Sequence, residues 1–265
     1  SLAGKTLLVL PEQGFGDAIL FARFLPSLAG LGATVRYVCE QPLVRLFDGL
    51  PGADQVVVGY RKGDPGDYWI NMMDLAALHF AEHADVPPPT TLHVAENSIS
   101  RAKRLVASHG GAFKVGVVWT GSTTYKGNAF RSFDHSEFWP LTDIDGVQLF
   151  SLYKGPALKP FMADGSAGFM IDAGSSERDI SDCAAMMQEM DLVITSDTAT
   201  AHIAGSLELP AWVVLHWDPF WVFRHAGSTT QWYPSLTLYR QDQPLEWQTV
   251  LSQVKNDLLT LLKRR

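Results

Sequence analysis

The stretch Leu192-Val193-Ile194-Thr195-Ser196-Asp197-Thr198-Ala199-Thr200-Ala201-His202-Ile203-Ala204-Gly205 constrains this chain most. Residues of buried-strand character run into a Ser/Asp/Thr turn. Small residues of helical character then lead past Pro210 to a second apolar run, residues 211–215. Strand, turn, helix and strand in that order build a parallel sheet, with the polar turn at the carboxyl end of the first strand. Hydroxyls and free backbone N–H groups at such a helix start can seat an anion, here a diphosphate at Ser196, Asp197, Thr198, Ala199 and Thr200. Ser196 and Asp197 suit a plain helix cap equally well.

The rest of the chain repeats this alternation. Strands are expected at 5–10, 34–39, 55–58 and 67–71, with helices at 18–28, 41–50 and 72–81. A stiff Pro87-Pro88-Pro89 loop and an amphipathic helix at 96–108 follow, closed by Gly110-Gly111. A double glycine before a fresh buried strand marks a hinge, so the boundary is placed there: 1–111 and 112–245, then a terminal helix within 246–265 expected to pack back on the first half. The second half alternates again, with strands at 115–119, 147–152, 169–171, 192–195, 211–215 and 236–239. This pattern predicts an α/β protein of two Rossmann-like parallel-sheet domains facing a cleft.

Composition removes several alternatives. With 46% apolar and 18% charged residues over 265 positions, the chain can bury a large core. Its net charge of −7, with no basic run before the terminal Lys263-Arg264-Arg265, argues against a nucleic-acid surface. Cys39 and Cys183 are too far apart for a CxxC site, and no His/Cys/acid spacing suits a metal. Asp143-Ile144-Asp145 resembles a metal-holding acid pair but runs into Gly146, as a turn does. No apolar run spans a bilayer and no signal peptide is visible, so a cytoplasmic setting is the default. The chain opens at Ser1 rather than Met, as expected of a processed product or a fragment.

Four clusters could carry chemistry. Gly14-Phe15-Gly16-Asp17 follows the first strand, with Glu40 ending the second about twenty residues later, as in a dinucleotide fingerprint. Ile19, however, stands where a third glycine would let helix and sheet pack closely. Asp17 is either an N-cap or a carboxylate at the cleft mouth, able to take a proton from a hydroxyl. The loop after Trp119 carries Thr120, Gly121, Lys126, Arg131 and Ser132 at a sheet edge where open α/β folds bind ligands; the cations suit phosphate oxygens. Lys154-Gly155 follows another strand. The aromatic tract 216–223, including Trp217 and Asp218, suits either a stacked sugar or base, or packing between domains.

Taken in order, these pieces resemble the bacterial heptosyltransferase-like glycosyltransferases of family 9. The likeness is greatest to the branch found as the C-terminal domain of tetratricopeptide-repeat proteins. It rests on Gly14-Phe15-Gly16-Asp17-Ala18-Ile19 with Phe21-Ala22-Arg23, Val117-Val118-Trp119-Thr120-Gly121 with Lys126 and Arg131-Ser132, Tyr153-Lys154-Gly155, Ser196-Asp197-Thr198-Ala199 with Ala201-His202, and Trp232-Tyr233-Pro234. The resemblance implies a GT-B fold, an N-terminal acceptor and catalytic-base domain, and a C-terminal domain holding a nucleotide-sugar donor. It further implies inverting transfer with no metal or cofactor, to a glycan, lipid-linked or protein hydroxyl. Asp17 would be the base. Lys126, Arg131, Ser132, Lys154, Ser196, Asp197, Thr198, Ala199, Thr200 and His202 would bind the donor. Gly14, Phe15, Gly16, Thr120, Gly121, Trp217 and Asp218 would line the cleft. The loop 122–130 is less basic than the family pattern, and Tyr153 stands where a polar residue is common. Two other readings stay open: a catalytically silent sugar-nucleotide or glycan-binding module, and an NAD-dependent dehydrogenase using Gly14 to Gly16.

Overall fold

A computed structural model describes residues 1–59 and 66–264. The first half contains β1 (Thr6–Leu10), α1 (Phe15–Phe21), β2 (Thr34–Cys39), β3 (Gln55–Val58), β4 (Tyr68–Asn71) and α2 (Leu75–Glu82). The second contains α3 (Glu96–Val106), β5 (Phe113–Val118), α4 (Trp139–Thr142), β6 (Val147–Ser151), α5 (Leu158–Ala163), β7 (Met170–Asp172), α6 (Ile180–Gln188), β8 (Leu192–Ser196), α7 (Ala199–Ser206), β9 (Ala211–Leu215), β10 (Leu236–Arg240) and α8 (Gln248–Leu262). The strands form a four-stranded sheet, β3-β2-β1-β4, and a six-stranded sheet, β10-β9-β8-β5-β6-β7. Every described strand pairing is parallel. None of the described helices is long and apolar enough to cross a membrane.

The strand orders place the ligand edge. In the second sheet the chain runs outward from β5 through β6 to β7, then returns to β8 on the other side of β5. In the first it runs from β1 through β2 to β3 and returns to β4. Loops leaving β1, β5 and β8 therefore diverge at switch points, where open α/β sheets bind ligands beyond the strand ends.

Several local expectations change. The helix expected over 18–28 begins at Phe15 and tightens to 3₁₀ over Ala22–Leu31, because Pro26 inside it has no N–H to give; Gly32 ends it at φ 73°. The helix expected over 41–50 shrinks to a 3₁₀ turn, Gln41–Leu43. Asp17 is not the N-cap of α1. Gly14 is, and Asp17 sits at the third position, its carboxylate accepting from the Gly14 N–H at 3.1 Å. Ile19 does not hold α1 off the sheet, for it is fully buried in the core.

Packing also redraws the halves. The helix expected to close the first half, α3, packs on α6 of the second. Arg45 reinforces this seam, meeting Asp179 at 2.8 Å and the Ser98 hydroxyl at 2.7 Å. The handover lies earlier than Gly110-Gly111: the His93 N–H donates to the Leu46 carbonyl, and the Ala95 N–H to the Ser181 hydroxyl. The terminal helix also departs from expectation. It packs on β10 and the 135–138 turn of the second half, where Trp247 meets Phe133 and the Tyr239 hydroxyl donates to Asp257 at 3.0 Å. Apolar Val250, Val254 and Leu258 form its buried stripe. Residue 265 lies outside the described residues.

Candidate active site

The two switch points meet. Helix α1 packs on α7 across the boundary between the halves, so the helix starts after β1 and β8 come together. Gly16 makes the contact possible. A Cβ there would lie 2.9 Å from His202 Cδ2 and 3.5 Å from Ala199 Cα. The space above the Gly14-Phe15-Gly16 turn is thus filled by the other half, where a dinucleotide pyrophosphate would need it open. Gly14, Gly16 and Asp17 accordingly stand at a seam between two sheets.

Asp17 is half-buried at this seam. Desolvation raises its carboxyl pKa above the ordinary aspartate value, while the Gly14 amide and the Arg131 charge pull it partly back. Asp197 lies near enough for the Asp17 charge to act on it. Only 3% exposed, Asp197 is also raised by burial, and its Oδ2 accepts from the Phe220 N–H at 3.1 Å. Arg131 lowers both carboxyls, so one guanidinium serves two acids.

Arg131 is held by a residue that the sequence did not single out. Asn128 is buried, and its Oδ1 accepts from the Gly121 N–H at 3.1 Å and the Arg131 Nε at 3.2 Å. Its Nδ2 donates to the Thr120 hydroxyl at 2.9 Å; Thr120 and Ser132 share a 2.7 Å bond, and Ser132 donates to the Asn128 carbonyl at 2.5 Å. This closed ring fixes the amide orientation, and with it the Arg131 fork. Tyr125 covers the guanidinium from outside, 4.6 Å from its ring centroid. Thr120 and Ser132 thus act through Asn128. An asparagine in a polar loop carries no distinguishing sequence signal, so only the fold reveals it.

Thr198 is the N-cap of α7, not Ser196 or Asp197, and its hydroxyl lies 3.2 Å from that of Thr195. The first-turn amides of Ala199 and Thr200 have no carbonyl a turn earlier to bond. Gly121 brings the β5 loop against this turn: a Cβ on it would meet Arg131 Nη2 at 2.8 Å and Thr198 Cγ2 at 3.1 Å. The buried Ser196 hydroxyl makes no hydrogen bond among the described residues.

The remaining expected site residues are spread between the seam and the surface. Lys126 is exposed and forms no hydrogen bond or ion pair among the described residues. Lys154 turns toward the β7 side and donates to the Glu177 carbonyl. His202 is a seam residue. Its Nδ1 shares a 3.1 Å bond with the Tyr233 hydroxyl, and its ring packs against Phe220 and Phe223. Burial and the charges of Arg23 and Arg131 lower its pKa to about 3, so it is neutral at pH 7. Trp217 is 54% exposed, and the Asp218 side chain is 82% exposed beside His225, so both face water. Much of the aromatic tract belongs instead to the seam. There Arg23 of the first half donates to the Trp232 carbonyl at 2.9 Å and lies 4.6 Å from the Tyr233 ring centroid. No set of three His, Cys, Asp or Glu side chains among the described residues converges as metal ligands.

No family model matches the chain. The curated protein FlbA of Caulobacter vibrioides is 25% identical over 281 residues of alignment, covering 97% of this chain and 47% of FlbA. The chain thus spans about half the length of that relative. Among solved structures, a family 9 glycosyl transferase from Veillonella parvula superposes with a TM-score of 0.64 at 16% identity, over 100% of this chain and 99% of that one. The E. coli ADP-heptose LPS heptosyltransferase II gives 0.68 at 9% identity, over 98% and 100%. These superpositions span both parallel α/β sheets of the chain, which has the GT-B fold of these neighbours.

Proposed function

We propose that this chain is an inverting, metal-independent glycosyltransferase that moves a sugar from a nucleotide diphosphate to a hydroxyl acceptor. The observation that carries this reading is the meeting of Asp17, Arg131 and Asp197 at the facing starts of α1 and α7. Asp17 takes the proton of the acceptor hydroxyl as its oxygen bonds to the anomeric carbon from the open face. The bond from that carbon to the diphosphate oxygen breaks on the opposite face. The Arg131 guanidinium and the α7 first-turn amides receive the charge that grows on the diphosphate. Asp197 accepts from a donor hydroxyl; an anion there would repel a phosphate.

The neighbours suggest the first donor to try. One is an ADP-heptose heptosyltransferase, and another E. coli heptosyltransferase, which superposes with a TM-score of 0.52, was solved with ADP. Calorimetry with ADP, UDP, GDP, CDP and dTDP, followed by turnover assays with sugar esters of whichever binds, tests the reading. Wild type should bind one nucleotide and turn over its sugar ester, and Asp17→Asn should lose turnover while keeping donor affinity.

One observation favours a second reading, a silent sugar-nucleotide-binding module. Of the three cations expected at the seat, only Arg131 is held there. Donor binding without turnover, whatever acceptor is supplied, would select that module.

A further inference from the structure

We infer that His216 is the residue of the aromatic tract that contacts the donor, hydrogen-bonding a hydroxyl of the transferred sugar. This rests on the donor seat proposed above. Strand β9 lies beside β8 in register, Ser196 opposite Val214, so His216 leaves the sheet next to the turn that begins with Asp197 and Thr198. The segment it opens is pinned at two points. The Trp217 N–H donates to the Gln241 side chain at 3.0 Å, and the Phe220 N–H to Asp197. Trp217 and Asp218 turn to water, while His216 is half-buried and close enough to Arg131 to feel its charge. Among the described residues His216 makes no hydrogen bond or ion pair, so its ring nitrogens are open to a ligand.

The chemistry of the ring selects the ligand group. Partial burial and Arg131 push its pKa below the ordinary histidine value, outweighing the opposite pull of Asp218. The ring at pH 7 is therefore neutral, with one N–H donor and one acceptor nitrogen. A phosphate would draw a cation, and Arg131 already supplies it. A hydroxyl, which both donates and accepts, matches a neutral imidazole.

The test compares nucleoside diphosphates with their sugar esters by calorimetry: ADP with ADP-heptose, GDP with GDP-mannose, UDP with UDP-glucose, and CDP and dTDP each with its glucose ester. The pair that wild type binds is carried forward. His216→Phe keeps the ring volume and removes both nitrogens. It should weaken the sugar ester about tenfold and leave the nucleoside diphosphate within about twofold. His216→Gln, which retains a donor and an acceptor, should recover most of the lost affinity and covers the case in which His216→Phe does not fold. Equal losses for both ligands, or unchanged affinity for both, overturn the assignment while leaving the donor seat in place. If wild type binds no member of any pair, the donor seat itself fails and this assignment falls with it.

Discussion

Gly16 of α1 lies against the imidazole of His202 on α7, with room for a hydrogen and not for a methyl group. His202 cannot swing aside, because Tyr233 holds its Nδ1 and two phenylalanines flank its ring. Gly16→Ala should therefore part the two helices. We expect a loss of about 1–3 kcal/mol in urea unfolding, with a fall in kcat/KM from the displaced Asp17. Wild-type stability and activity in Gly16→Ala would show that the contact is loose.

Asp17 must be ionised to accept a proton, and its folded-state pKa is raised. The acid limb of kcat/KM should lie above the ordinary aspartate range, activity falling as pH drops through it. Arg131 favours the ionised form, so Arg131→Gln should move that limb to still higher pH. A pH–rate profile whose limb stays put in Arg131→Gln would separate the two groups.

His202 supplies a pH dependence of stability. Its pKa falls from 6.5 unfolded to about 3 folded, so its stabilising share is complete above pH 6.5 and is lost as pH drops toward 3. At pH 4 that loss is about 3 kcal/mol. The raised carboxyls of Asp17 and Asp197 act in the opposite sense, their share being lost as pH rises through their folded values. Urea unfolding of His202→Phe against wild type, at pH 7 and pH 4, isolates the histidine. The gap between the two proteins should shift in favour of the variant at pH 4, and a constant gap would mean that His202 does not stay neutral.

Arg23 crosses the seam with its charge buried, donating to the carbonyls of Leu20, Pro87 and Trp232 and stacking on Trp232 and Tyr233. Arg23→Ala should cost about 2–4 kcal/mol in chemical denaturation. Arg23→Lys should recover little, since an ammonium lacks the planar fork. Full rescue by lysine would make the contribution one of charge alone.

The parallel α/β class and all the described strands were legible because buried parallel strands are short apolar runs bounded by turns. The strand–turn–helix unit over 192–206 was legible for the same reason, small and hydroxyl residues between two such runs marking the turn and helix start. Helix lengths were less so, since Pro26 converts the later part of an amphipathic pattern to 3₁₀ geometry without altering its apolar spacing. Which cation reaches the site could not be read, because Lys126 and Arg131 share one loop and only the Asn128 ring distinguishes them. Nor could Arg23 be read as buried. Its partners are backbone carbonyls some 64 and 209 positions away, and any sequence offers those.

The handover between His93 and Ala95 has a mechanical consequence. With α8 folded back on its own sheet, the described chain passes between the halves once. A single covalent tether leaves rotation about itself unconstrained, where two would define an axis. The angle between the two lips is therefore written in side chains: Arg45 on Asp179, Arg23 on Tyr233, and Gly16 beneath His202. Substitutions at these positions would reset that angle as adjusting screws reset an optical mount.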